Sequence, residues 1–160
     1  MNKREIKSTI TDYNSLAELD QKYQELVQKA KEAAETAYAP YSKFKVGAAV
    51  LLENGMVFQG NNQENAAYPS GICAERVAIF YANSKYPDVP IKAVAVTANT
   101  KNGFISEPIP PCGSCLQVML ESENRADKPI KVLLYGKSKI TVAEGIKQFL
   151  PFNFNKEMLK

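Results

Sequence analysis

Cys73 and Glu75 stand two residues apart in "SGICAERV", residues 70 to 77, and Cys112 and Cys115 lie in "PPCGSC", residues 110 to 115. These are all three cysteines of the chain, which has no histidine. Without imidazole there can be no Ser-His-Asp or Cys-His nucleophile system and no HExxH metalloprotease site. A base here must be a carboxylate, lysine, tyrosine or cysteine, and a tight zinc site must be built from sulfur and oxygen. An odd cysteine count argues against a disulfide framework and favours metal binding or catalysis.

A Cys-x-x-Cys pair lets two sulfurs meet one tetrahedral ion at about 2.3 Å each. Cys112 follows two prolines and opens a helical pattern; Cys73 follows Ser70-Gly71 and opens another. Thiols at helix N-termini face free N–H groups and the positive end of the dipole, which favour the thiolate. With Cys73 as third ligand, a fourth zinc position stays open for water, as in catalytic rather than structural sites. In the first turn of a helix, side chains converge beyond the helix end, so Glu75 is placed to take a proton from that water. Three thiolates on one Zn²⁺ leave a net charge of roughly −1, which opposes acidifying the water. Two helix N-termini offset roughly half a charge each, and Arg76 is assigned as a donor to the sulfurs. Other readings exist: a lone buried cysteine is commonly a small hydrophobe. "CGSC" before a helix also resembles thioredoxin-type motifs, which would make a dithiol redox protein using Cys112 and Cys115.

The surrounding pattern supplies elements to hold these groups. Ser15-Leu-Ala-Glu18 fits a capping box, and apolar residues from Leu16 to Ala37 recur at helical spacing, predicting a helix over residues 15 to 38 that Pro40 ends. "FKVGAAVLLENGMVFQGN" predicts two strands joined at Asn54-Gly55. "CAERVAIFYANSK" predicts a helix, "IKAVAVTA" a central strand covered on both faces, residues 112 to 123 a short helix, and "IKVLLYG" another buried strand. Thr141-Val-Ala-Glu144 fits a second capping box, predicting a last helix that Pro151 stops. The sum is α-β-β-α-β-α-β-α: a three-layer α/β/α sandwich whose mixed sheet is expected to hold five strands. Residues 1 to 14 read as a loose arm and residues 15 to 160 as one domain.

Taken together, these residues resemble the zinc-dependent cytidine deaminases, in their small three-cysteine form. "AYAPYSKFKVGAAV", "GNNQENAAY", "CAERVAIF", "PPCGSCLQVM" and "FLPFNF" match that family's blocks in order and cover most of residues 37 to 154. The resemblance implies a cytidine deaminase-like fold, one zinc per chain on Cys73, Cys112 and Cys115, and Glu75 as proton carrier. The implied reaction is hydrolytic deamination of cytidine and deoxycytidine to uridine and deoxyuridine plus ammonia, a step of pyrimidine salvage. It further implies that Phe44 lines the pyrimidine pocket, that Asn62 and Glu64 bind the ribose 3′-hydroxyl, and that Ala74 offers its N–H to the base carbonyl. Tyr68 and Phe154 match positions lent to a neighbouring subunit, which implies a homotetramer with shared sites. Deamination of another cytosine-like nucleoside, such as blasticidin, is the nearest alternative; the Asn62 and Glu64 pair argues for a ribose. The chain departs from the family's pattern at Leu116, where arginine is usual, at "YPSG" around Pro69, and in its longer N-terminal arm.

Composition sets bounds on the rest. At 160 residues one domain can bury roughly 70% of the surface its unfolded chain exposes. A net charge of +3 with scattered lysines gives nucleic-acid binding no support. No apolar run approaches the roughly 20 residues that span a bilayer, and "MNKREIKSTITDYNS" holds no segment resembling a secretory signal. A cytoplasmic protein acting on a small-molecule nucleoside, with no nucleic-acid or membrane partner, is the expectation.

Overall fold

The computed structural model describes residues 1–159. Three helices, α1 (Gln21–Glu35), α2 (Ala74–Lys85) and α3 (Gly113–Ala126), pack on one mixed sheet. Its strands are β1 (Thr11–Tyr13), β2 (Lys45–Leu52), β3 (Val57–Asn61), β4 (Ile91–Thr100), β5 (Gly103–Phe104), β6 (Lys131–Tyr135) and β7 (Ile140–Glu144). The order across the sheet is β1-β7-β6-β4-β2-β3, with β5 paired to the end of β4. Among the described residues, β4 and β6 are the one parallel pair of these strands; their other pairings are antiparallel.

The period-2 alternation of the strands decides which layer each helix joins. Ala48, Val50 and Leu52 of β2, Val94 and Val96 of β4, and Val132 and Leu134 of β6 face α2 and α3, meeting Ile79, Met119 and Leu120. The intervening residues Ala49, Leu51, Ala93, Ala95 and Leu133 face α1, whose Tyr23, Leu26, Val27 and Ala30 recur at helical spacing. Cys73 and Cys112 are the N-caps of α2 and α3, on the same side of the sheet, and this shared layer brings them together. No helix among the described residues is long and apolar enough to cross a membrane.

Close backbone approach fixes α2 against the sheet. A Cβ at Gly60 of β3 would lie 2.5 Å from Ala78 N and 2.6 Å from Ala74 O, closer than packing allows. Gly60→Ala is therefore expected to destabilise the fold by about 1–3 kcal/mol, the usual range for an overpacked core. Because it displaces the first turn of α2, it is also expected to lower zinc content. Chemical denaturation alongside metal analysis of the purified variant checks both.

Three features differ from the sequence-based expectation. The sheet has seven strands rather than five. Two of the additions are short: β1 forms from the last residues of the N-terminal arm, and β5 returns from β4 through a turn at Gly103, φ +89°. The helix expected from Thr141 is instead β7 followed by a single 3₁₀ turn, Ile146–Gln148. There the Thr141 hydroxyl donates to Asp12 instead of capping, and Glu144 pairs with Lys131 across the sheet at 2.5 Å. Gly145, at φ +85°, then breaks the direction a helix would need. The first helix is shorter than residues 15 to 38: Glu18 accepts from Ser15 N at 2.8 Å as a capping box should, but caps only the 3₁₀ turn Leu16–Glu18. An extended Leu19 then lets α1 begin afresh at Gln21.

Candidate metal centre and active site

Cys73 and Cys112 precede their helices with extended backbones, ψ 151° and 163°, which leaves their side chains at the helix ends. Cys115, one turn into α3, is fully buried. The Sγ atoms of Cys73 and Cys112 are 3.8 Å apart, those of Cys112 and Cys115 3.5 Å, and all three lie within 4.8 Å of one another. Three sulfurs each about 2.3 Å from a tetrahedral zinc would stand about 3.8 Å apart. The donor set therefore fits zinc in chemistry and in spacing, and no disulfide links the cysteines.

The charge that three thiolates bring is met locally. Arg76 Nη2 donates to Cys73 Sγ at 3.8 Å, while its Nε is buried without a partner. Hydrogen bonding from Cys115 and then from Arg76 pulls the Cys73 thiol down to about 5, which favours its thiolate form. Cys115, the donor in that contact and itself buried, is pushed up. Glu75 is 4% exposed, and burial raises its carboxyl above the usual range. A carboxylate so placed, two residues from Cys73, suits proton transfer rather than an ion pair.

The site opens on a cavity of about 710 Å³ that reaches Cys73, Glu75, Arg76 and Cys112. Its walls come from stretches joined by backbone pairing. Gln63 and Ile72 exchange two hydrogen bonds of 3.0 Å, and Glu64 N donates to Tyr38 O at 2.9 Å. Those bonds bring the 61–65 loop beside the approach to Cys73.

Most sequence-predicted residues gather here. Ala74, first residue of α2, lines the cavity, where an N–H of the first helical turn has no intrahelical acceptor. Asn62 and Glu64 also line it, yet both do structural work. Asn62 Oδ1 accepts from Val46 N at 2.7 Å and its Nδ2 donates to Phe44 O at 3.0 Å. Glu64 accepts from Tyr41 N at 2.9 Å, Ser42 N at 3.3 Å and the Ser42 hydroxyl, and the hydroxyl bond above all holds its carboxyl below the ordinary value. Phe44 is partly buried and is not among the lining residues; Val46, two residues on in β2, lines the wall instead. Tyr68 stands at the cavity edge, 78% exposed. Phe154, 56% exposed, lies on the tail and does not line this cavity, its carbonyl accepting from Gln117 at 2.9 Å. Sequence reasoning missed Tyr41, Ile72, Ile109 and Pro110 as wall residues. Only the last two carried a signal, their position just before Pro111-Cys112.

The model of the cytidine and deoxycytidylate deaminase zinc-binding region matches residues 20–128, a span that holds all three cysteines and Glu75. The chain belongs to this family. A cytidine deaminase of Sporosarcina psychrophila is 41% identical over 136 residues, covering 85% of this chain and 93% of the relative. One from Halalkalibacterium halodurans is 49% identical over 98 residues, covering 61% of this chain and 70% of the relative. The crystal structure of cytidine deaminase from Burkholderia pseudomallei superposes with a TM-score of 0.71 at 40% identity, covering 82% of this chain and 98% of that one. Within this deaminase family, the three sulfurs of the present chain fit one zinc ion. Leu116, beside the third ligand, is buried in the core shared by α2 and α3, so Arg76 is the cation that meets the thiolates.

Proposed function

We propose that this chain catalyses zinc-dependent hydrolytic deamination of cytidine and deoxycytidine. The observation that carries the reading is a buried Glu75 beside three sulfurs at zinc-binding separation, both opening on one cavity. Zinc bound by Cys73, Cys112 and Cys115 would supply a Lewis acid that lowers the pKa of the attacking water. Glu75 takes a proton from the attacking water and delivers it to N3 of the base. The water oxygen bonds to C4, which becomes tetrahedral. Glu75 then moves the second proton to the amino group, the C4–N bond breaks, and ammonia leaves as the C4 carbonyl forms. Ala74 N–H holds the base carbonyl, and Arg76 holds Cys73 Sγ in its ionised form.

Nucleosides rather than nucleotides fit the charges present. Among the lining residues the one cation is Arg76, which is engaged with Cys73, whereas Glu64 and Glu75 are acidic. A 5′-phosphate would meet no free positive group among the lining residues, and unfavourable charge placement costs several kcal/mol. Deoxycytidine 5′-monophosphate is accordingly expected to react with kcat/KM at least about a hundredfold below that of deoxycytidine. The fall in ultraviolet absorbance on deamination, followed for both compounds, decides this; equal rates would overturn it.

Asn62 and Glu64 are assigned to the ribose 3′-hydroxyl. Glu64 keeps lone pairs beyond its loop contacts, and hydrogen bonds to charged groups contribute about 1.5–3 kcal/mol. Glu64→Ala is expected to lower kcat/KM for cytidine about 10- to 100-fold, mainly through KM. Steady-state kinetics on cytidine and on free cytosine test the assignment, since the free base should be indifferent to the change.

The same reading places Tyr68 and Phe154 against a neighbouring copy's site, in a homotetramer, and Phe44 at the pyrimidine once substrate is bound. The exposure of both aromatic rings and the open mouth of the cavity support it. Residues 15 to 160 act as one catalytic domain, of which Lys160 lies outside the described residues. A cytoplasmic role in pyrimidine salvage completes the proposal.

A further inference from the structure

The segment Ile105–Pro111 forms part of the cavity wall through Ile109 and Pro110, and it leads directly into the ligand Cys112. Among the described residues, Glu107 to Pro111 make no backbone hydrogen bond, and the three prolines have no N–H to give. The segment is held instead by the turn between β6 and β7. Lys137 N donates to Ile105 O at 2.9 Å, and Ser138 N donates to Ser106 O at 3.0 Å. The Ser138 hydroxyl lies 2.7 Å from Glu107 Oε1. A Cβ at Gly136 would press against the backbone of Ser106 to Pro108, so the two stretches touch. The far side of that turn is fastened to the N-terminal arm. Lys139 Nζ reaches Asp12 Oδ2 of β1 at 2.8 Å and Glu107 Oε2 at 3.8 Å, while Thr141 donates to Asp12 Oδ1 at 2.6 Å. Lys139 thus joins the arm on one side to the cavity-wall segment on the other.

We propose that Lys139 is a positioning residue: by holding Asp12 and Glu107 together, it fixes the Ile105–Pro111 segment and so sets the Ile109–Pro110 wall and the approach of Cys112. The arm acquires a purpose under this proposal, as the strand that anchors the Lys139 side chain. The proposal rests on the deaminase reading only for its kinetic readout.

The test uses Lys139→Met, Asp12→Asn and Lys139→Arg in the zinc-loaded full chain. Partly exposed ion pairs contribute little, so the expected effects are modest. In Lys139→Met, KM for cytidine should rise about 2- to 5-fold with kcat within about twofold. Zinc release to an excess of coloured chelator should quicken by a similar factor. Asp12→Asn should shift both quantities the same way, and Lys139→Arg should restore both to parental values. Parental KM and release rate in Lys139→Met would overturn the proposal. So would a fall in kcat with KM and release rate unchanged, which marks mere loss of folded enzyme. If the parent protein deaminates no nucleoside, the functional reading falls on its own, and the zinc-release comparison still judges Lys139.

Discussion

Glu75→Gln is expected to lower kcat for cytidine about 10²- to 10⁴-fold, the usual contribution of a positioned general acid–base group. Zinc content and thermal stability should stay close to parental. The two outcomes separate because, in the proposed mechanism, Glu75 carries the proton and is not a ligand: the three sulfurs, all within 4.8 Å of one another, can supply the metal's protein donors. Glutamine keeps the volume and the hydrogen-bonding oxygen but cannot carry a proton. Burial raises the carboxyl of Glu75 in the metal-free chain, so its ionised form costs folding free energy. A group whose folded pKa lies above its unfolded value stabilises the fold at low pH and loses that contribution as pH rises through the folded value. In metal-free protein, Glu75→Gln should therefore lessen the loss of stability between acidic and neutral pH. Thermal melts of metal-free parent and variant at pH 4 and pH 7 check this, while steady-state kinetics check the catalytic loss. A glutamine variant with parental kcat would remove Glu75 from the mechanism.

Removing a zinc ligand should be as damaging, and comparing two ligands shows why. Cys112 is exposed and Cys115 is fully buried, so Cys112→Ser removes a donor with little change in packing. Cys115→Ala removes a donor and also leaves a small cavity beneath α3. Both variants should hold almost no zinc and lose activity by about 10³-fold or more, since the metal supplies several kcal/mol of transition-state stabilisation. Their stabilities should differ. Stripping zinc from the parent removes the mass-action stabilisation that a bound metal gives, and Cys112→Ser should melt close to the stripped parent. Cys115→Ala should melt below it. Metal analysis and thermal unfolding of the variants and the stripped parent make the comparison. Full zinc occupancy in either variant would mean that the sulfur in question is not a ligand.

The metal centre was legible in the sequence because each part of it is local. Proline before Cys112, Ser-Gly before Cys73 and the two-residue offset of Glu75 are helix-start signals, and side chains at two such starts need only a shared layer to meet. The β2–β3 hairpin at Asn54-Gly55 and the all-apolar β4 were legible for the same reason. The cavity walls were not, because Tyr41, Val46, Ile72 and Ile109 come from four separate stretches. Phe44 shows the limit plainly: it lies just before β2, and Val46, two residues on in the strand, lines the cavity instead. Thr141-Val-Ala-Glu144 met the capping-box pattern and became a strand because β6 offered an unpaired edge and Gly145 stopped any helix. Pairing of Thr11–Tyr13 with β7 had no local signal at all. It depends on Asp12 finding Lys139 and Thr141 more than a hundred residues away.

Titrating zinc into metal-free protein while following the loss of cytidine absorbance puts the central claim to its most direct test. The rate should rise in proportion to added metal and level off at one equivalent per chain. A rate independent of zinc, or no deamination at full occupancy, would contradict it.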